Sequence, residues 1–485
     1  MYKALELLLI PSLFALLTLV VPRNVIRIYS LIGGLASLVL TGWLLSNFYQ
    51  FHSAAVTLFS LTPNNFGFTA KMGYDGIGLF MVILTNVITF IILLSNYNRE
   101  VSQNKLFTSM LFLMQAALLG VFVSLDGLLF YIFWEISLIP IFIIALSFGG
   151  ADRKRTLTKF FIYTFVGSLA MLASLIAIKS YTTSFAIEDL MNVQLSVKAA
   201  FWIFGGFFLA FAIKIPLFPF HTWQPNTYST APMAGTMLLS ALMLKMALYG
   251  MIRWMVPLAP EAMNCMQYPI IVLGIIGVVY AGIVAIKQSD IKKLFAFASI
   301  SHVGLIAAGI ILFDKDNLTA GLIQIFNHSL VAVGLFLSVD IIEQRLGTRK
   351  LEELGGIAKL APKFAFWFAV LAFASVSVPF TSGFIGEFLL IKGLYSYHWL
   401  VGLIAGTTLV FGAVYTLRAY QLSMYGAPKQ AATFKDLSWN EWLAYFLIMA
   451  IIVVIGVCPQ MIIDLVGPSI DQLLETYKSS SAIIK

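Results

Sequence analysis

Fourteen apolar runs follow one another along the chain with only short connections, at about 4–22, 28–50, 74–97, 106–125, 127–148, 158–180, 200–221, 231–256, 268–287, 291–313, 317–343, 362–391, 399–425 and 441–464. A helix needs roughly 20 mostly apolar residues to cross the hydrocarbon core of a bilayer. The pattern therefore predicts an all-α polytopic membrane protein of about 14 transmembrane helices. Only 11% of the 485 residues are charged, against about 25% in a soluble domain. No stretch is left for a water-soluble domain, so chemistry on NADH, flavin or ATP is expected elsewhere. The first run is too long for a signal-peptide core, lacks an Ala-x-Ala-like site and is followed at once by a second run after Arg23 and Arg27, which reads as a retained helix. Cys265 and Cys458 lie far apart and outside any C-x-x-C spacing. They define no disulfide framework, iron–sulfur cluster or zinc site.

The net charge of +8 resides mostly in short loops, where it reads as an orientation signal rather than a nucleic-acid footprint. When Lys and Arg are sorted by alternating sides of the membrane, 19 fall on one side and 9 on the side that holds both termini. The imbalance predicts that the richer side faces the cytoplasm and both ends face outward. Of the 30 cations, that sorting leaves only Lys214 and Lys245, each inside an apolar run.

A charge near the bilayer centre costs about 2.5–3.5 kcal/mol on the insertion scale. Glu135, Lys214, Lys245 and Glu387 all carry that penalty. Two carboxylates and two amines could form two structural salt bridges. They could also form a proton relay, because burial moves carboxylates and lysines toward neutrality from opposite sides. His302 and His328 sit near the middles of consecutive runs, and imidazole titrates near physiological pH unaided. A single buried histidine is usually a packing residue, but two between Lys245 and Glu387 favour the relay. His221, near the end of its run, reads as structural or interfacial. Asp75, Asp126, Asp290 and Asp340 fall near span ends and read as solvated or helix-capping; Asp290 suits a helix N-terminus by its charge. The run Asp152-Arg153-Lys154-Arg155 reads as an orientation signal.

Pro216 and Pro219 follow Lys214 closely. Each removes a helical hydrogen bond, which would free the carbonyls of Ala212 and Ile215 and break the seventh helix. Pro379, followed by Thr381, Ser382, Gly383 and Gly386, interrupts the twelfth helix just before Glu387. Breaks at membrane depth are tolerated where they are buried in protein or line a wet cavity. One alone would read as an ordinary kink; two, each beside an ionisable residue, match transporters built from repeats with midplane ion sites. Helices four to eight and nine to thirteen would then be two five-helix units, inverted because the number per unit is odd. The expected division is 1–105 for the first three helices, 106–256 and 257–425 for the two units, and 426–485 for the fourteenth helix and tail.

The segments FWEISLIP around Glu135, AIKIPLFPFHTWQPNTYSTAPMAGTMLLSALMLKMALYG through Lys214 and Lys245, and SDIKKLFAFASISHVG around His302 resemble the antiporter-like membrane subunits of respiratory complex I and Mrp-type cation/proton antiporters. The resemblance extends over about residues 120 to 420. Glu387 stands in GFIGEF where complex I chains L and N and the Mrp subunits typically carry Lys, and the chain ends about twenty residues past its last run, without the long lateral helix of chain L. Phe297-Ala298 replaces the family's frequent Tyr-Ser, which puts a hydroxyl-mediated step there in doubt. The resemblance implies that Glu135 lies beside Lys214, that Lys245 is the central relay, that His302 and His328 connect, and that Glu387 is the terminal site toward the opposite face. It implies no cofactor in this chain, with NADH, FMN, iron–sulfur clusters and quinone held by partner subunits of the complex. The implied partners are the neighbouring antiporter-like chains L and N, the lipid bilayer and protons, and the implied location is a bacterial inner membrane.

The function expected is proton translocation coupled to quinone reduction in those partners. Its rivals are a Na⁺/H⁺ antiporter subunit and the related chain of a membrane-bound hydrogenase. A purely structural scaffold would require the Glu135, Lys214, Lys245 and Glu387 set to be incidental.

Overall fold

The computed structural model describes residues 3–51, 55–64, 66–427 and 434–482. Lys429 and Lys485, counted in the sorting of cations, lie outside the described residues. Among the described residues, twelve helices are long and apolar enough to cross a membrane, and two shorter apolar helices, Glu6–Thr18 and Pro362–Ser375, accompany them. The chain is thus the helical membrane protein that its apolar runs dictate.

Helix starts follow from local chemistry. Asp75 accepts from the Gly78 amide, Asp126 from Leu128 and Leu129, and Asp290 from Lys292 and Lys293, so each caps the orphan donors of the helix it precedes. Asp126 also takes the amide and hydroxyl of Thr69, at 2.9 and 2.6 Å. Asp340 differs from the capping reading: it lies inside the Lys315–Leu346 helix and pairs with Arg99 at 2.7 Å. Two cations sorted to the membrane faces find partners inside the bundle, Lys292 buried and Arg253 largely so. Arg253 pairs with Asp75 at 2.6 Å, and Lys292 donates to the Ala231 carbonyl at 2.7 Å.

Both expected interruptions fall in non-helical segments. Val197–Lys214 stops at Lys214 and helix resumes at Gln224–Thr230, with Pro216 and Pro219 in between. The Ala212 carbonyl is not left free: it accepts from the Leu217 amide at 2.9 Å, while Trp223 Nε1 donates to the Ile213 carbonyl at 2.9 Å. Wrapping the chain back on the helix end gives the Ala212 and Ile213 carbonyls these donors. The second interruption separates Pro362–Ser375 from Ser382–Tyr397 and contains Pro379, flanked by Ser377 and Phe380 in left-handed backbone at φ 57° and 73°.

Three features were not legible in the apolar pattern. Ala55–Phe59 and Met72–Asp75 form a small antiparallel hairpin with Val56 opposite Tyr74. The fourteenth helix ends at Val457, and Gln460–Ala482 forms a further helix where the sequence suggested a tail. That helix packs on the start of Gly76–Ser95, with Ser469 Oγ accepting from the Gly76 amide at 2.8 Å. Finally, Met233–Leu258, which carries Lys245, contains two π-helical turns, Leu239–Met243 and Met251–Met255.

Candidate functional site: a buried line of titratable groups

Lys245 lies just after the first π turn and is fully buried. A π turn shifts the register of backbone bonding and is frequent at functional sites. Here the Lys245 ammonium donates to the Ser240 carbonyl, five residues back, at 2.6 Å, and to His328 Nδ1 at 2.7 Å. A charged Lys245 would donate to Nδ1, an arrangement that requires the imidazole proton of His328 to sit on Nε2. That N–H points at Ser299 Oγ, 3.1 Å away.

One turn beyond Ser299 on the Ile291–Ile310 helix stands His302, whose ring centroid is 6.2 Å from that of His328. Between them opens a narrow cavity lined by Ser299, His302, His328 and Tyr415, with Phe295 and Phe336 at its apolar wall. Tyr415 OH bonds His302 Nε2 at 2.9 Å, and His302 Nδ1 bonds Glu387 Oε1 at 2.7 Å. Glu387 also accepts from Gln324 at 2.8 Å on Oε1 and from Ser377 at 2.8 Å on Oε2. These donors suit an ionised carboxylate and hold it in place. The left-handed residue Ser377 therefore aims its hydroxyl from the helix break at the acid; strained backbone of this kind persists where surrounding structure enforces it.

Four of the six titratable residues singled out by sequence thus fall into two bonded segments, Lys245–His328–Ser299 and Tyr415–His302–Glu387, whose histidine rings face each other with centroids 6.2 Å apart. The cavity that both histidines line is largely apolar but wide enough for one water, which would bridge the two segments. Protonated Lys245 at one end and ionised Glu387 at the other cancel in charge. Passing one proton along the line discharges both, a favourable balance in a low-dielectric interior.

Glu135 and Lys214 stand apart from that line. Among the described residues neither makes an ion pair: the Lys214 ammonium lies over the Trp134 ring, 4.5 Å from its centroid, while Glu135 Oε1 is buried without a partner. No hydrogen bond joins Lys214 to Lys245. The expected adjacency of Glu135 and Lys214 is therefore a shared neighbourhood, with the aromatic face of Trp134 taking the cation. His221 behaves as a packing residue, stacked on Phe218 at 5.6 Å and edge-on to Tyr280 at 5.1 Å. Both cysteines are free and exposed.

Sequence reading missed Ser299, Gln324, Ser377, Tyr415 and Trp134. Gln324 and His328, four residues apart, share a helix face, as do Ser299 and His302, so helical spacing was the one available signal for two of them. Ser377 and Tyr415 reach the site only through tertiary packing.

This arrangement, a bundle of membrane-crossing helices enclosing buried carboxylate, imidazole and amine groups beside a helix break, is that of a polytopic membrane subunit with ionisable groups inside the bundle. Residues 124–412 match the family described as NADH:quinone oxidoreductase/Mrp antiporter, TM. The chain is 35% identical over 417 residues, covering 85% of it and 84% of the relative, to NADH-quinone oxidoreductase subunit M of Rickettsia conorii. Its structure is similar to a chain in respiratory complex I from Thermus thermophilus with bound NADH, with TM-score 0.90 and 30% identity, covering 98% of this chain and 99% of that one. The same fold recurs in the Mrp complex from Dietzia sp., with TM-score 0.88 at 18% identity over all of both chains. The chain belongs to the antiporter-like membrane subunits of the NADH:quinone oxidoreductase/Mrp antiporter family, and within that family to the subunit M type.

Proposed function

We propose that the chain is a proton-translocating subunit in the membrane arm of an NADH:quinone oxidoreductase. In this reading protons move through Glu135, Lys214, Lys245, His328, His302 and Glu387, driven by quinone reduction in partner subunits, while NADH oxidation and its cofactors reside outside this chain. The observation that supports the reading is the buried set in which Lys245 bonds His328, Glu387 bonds His302, and the two histidine rings lie 6.2 Å apart across a small cavity. Glu387 favours the oxidoreductase subunit over the Na⁺/H⁺ antiporter reading, because the Mrp antiporter subunits typically carry Lys there.

The partners in this reading are the antiporter-like chains L and N on either side, and the location is a bacterial inner membrane. The cation-rich face is cytoplasmic, with both termini periplasmic. The two five-helix units, each with its broken fourth helix, belong to the same proposal. Lys214 over Trp134 corresponds to a state in which Glu135 has released the lysine; approach of Glu135 would raise the lysine's hold on its proton, and separation would pass charge on toward Lys245.

Lys245→Ala tests the reading. The complex is expected to assemble but to lose proton pumping into inverted vesicles, with coupled quinone reductase activity strongly reduced. Near-normal pumping by the assembled variant would refute the relay.

A further inference from the structure

Past Glu387, the three helices around the site change character abruptly. On the Ser382–Tyr397 helix the face that carries Gly386 and Glu387 continues with Leu390 and then Gly393. Opposite it, the Lys315–Leu346 helix presents Gln324, then Gly321, then Asn317. The layer between the two amides is entirely apolar. Leu390 is fully buried and lies directly against the backbone of Gly309, so that a Cβ at Gly309 would overlap its side chain. Ile310 fills the space beside Gly321 in the same way, with its Cγ1 2.5 Å from where a Cβ would stand.

Beyond this layer the surroundings are polar again. An open cleft of about 380 Å³ is lined by Asp314, Asp316, Asn317, Lys392, Ser396 and Tyr397. Asn317 reaches into it from above Gly393, donating to Asp314 at 2.7 Å while its own Oδ1 is buried without a partner. Six residues separate Glu387 from Gly393, which is about 9 Å along a helix. One layer of Leu390, Ile310 and two glycines therefore stands between a buried acid and water on the cation-poor face.

We infer that Leu390 is the gate of the proton exit from Glu387, a dry plug between the Glu387 carboxyl and the Asp314–Lys392 cleft. The inference rests on the proton-translocating reading and adds the place where the path is closed. Apolar constrictions block conduction by excluding water. The absence of side chains at Gly309 and Gly321 gives Leu390 and Ile310 their seats. When Leu390 leaves its seat and water threads the layer, the O–H bond of protonated Glu387 breaks, the proton passes to that water and out through the cleft, and the carboxylate stays behind, held by Gln324, Ser377 and His302. When Leu390 returns, Glu387 can be reloaded only from His302.

The test is the passive decay of an imposed pH gradient across membrane vesicles that hold the assembled complex, without NADH. Leu390→Asn and, separately, Leu390→Ala are expected to speed the decay several-fold while NADH oxidation continues, and the added leak is expected to vanish when either is combined with Glu387→Gln. Leu390→Met, which keeps the volume, is expected to hold the gradient as the parent does. Parental decay in both Leu390→Asn and Leu390→Ala overturns the gate, as does a leak that survives Glu387→Gln or one equally large in Leu390→Met. Normal pumping in Lys245→Ala would remove the underlying relay reading instead, whatever Leu390 does.

Discussion

Lys245 and Glu387 are costly to bury as ions, and each escapes that cost through a different kind of partner. The lysine uses a backbone carbonyl within a π turn and an imidazole nitrogen, whereas the carboxylate collects one amide, one hydroxyl and one imidazole nitrogen. The sign of each site follows from these partners, because carbonyls and imidazole lone pairs accept while amide and hydroxyl groups can donate to a carboxylate. Glu387→Gln removes the titration but keeps the shape, and is expected to lose most NADH-driven pumping in inverted vesicles; full pumping would take Glu387 out of the path. Glu387→Lys, although it reproduces the residue of sibling chains, places an ammonium opposite the His302 and Gln324 donors that now hold an anion. Full coupling is not expected to return with it, and its return would show that the sign of the site is immaterial. The line was legible residue by residue because a charge inside an apolar run is expensive and therefore conspicuous. Ser299, Gln324, Ser377 and Tyr415 were not legible, because hydroxyls and amides are common in helices and acquire meaning only from what they touch.

At the scale of elements, the site depends on how closely the Ser382–Tyr397 helix can approach Lys315–Leu346. Gly386 makes that approach possible: a Cβ there would stand 2.6 Å from Gln324 Oε1 and 3.0 Å from the Gln324 Cα. Because the Cα is backbone, the clash cannot be relieved by a rotamer change alone, and Gly386→Ala is expected to push the two helices apart and stretch the Gln324–Glu387 bond. Pumping should fall, while Gly406→Ala, whose added methyl meets open space, should pump normally. Equal pumping by the two variants would show that the close approach is not needed. Prolines announced both interruptions in the sequence, but not how the freed groups are satisfied. The chain solves this in two ways, by folding back onto Ala212 and Ile213 at the first break and by turning Ser377 toward Glu387 at the second.

Across the whole molecule, the ends of distant helices are tied at the cation-rich face by one ionic network. Arg99, after the third span, pairs with Asp340 at 2.7 Å and Glu441 at 3.3 Å, and Arg345 pairs with Glu441 at 2.6 Å. Residues from the beginning, the middle and the end of the chain thus meet in a largely buried cluster. Removing one partner of a buried pair while leaving the other costs about 3–5 kcal/mol. Arg345→Met leaves Glu441 with Arg99 alone, so the assembled complex is expected to lose this subunit, or its activity, at a distinctly lower temperature in a thermal inactivation series. An unchanged inactivation temperature would show the cluster to be dispensable. On the opposite face the Gln460–Ala482 helix and the hairpin ending at Asp75 cap the bundle in the same spirit, through Ser469 on Gly76 and Lys315 on Asp471 at 2.7 Å.

What the sequence determined by itself was the class of solvent this chain inhabits, the approximate number and order of its helices, the two places where helices fail, and the ionisable residues that must be accounted for. Each of these follows from local cost: apolar runs must be buried in lipid or protein, proline cannot donate, and isolated charges cannot sit in hydrocarbon. Only the tertiary structure decided which charges face each other. Lys245 pairs with His328 rather than with a carboxylate, Glu387 pairs with His302, Lys214 rests on Trp134, and Asp340 serves an ion pair rather than a cap. The choice of partner depends on helix rotation and separation, set by π turns and by glycines that admit close backbone approach. Those are properties of packing between helices far apart in the chain, and no local pattern encodes them.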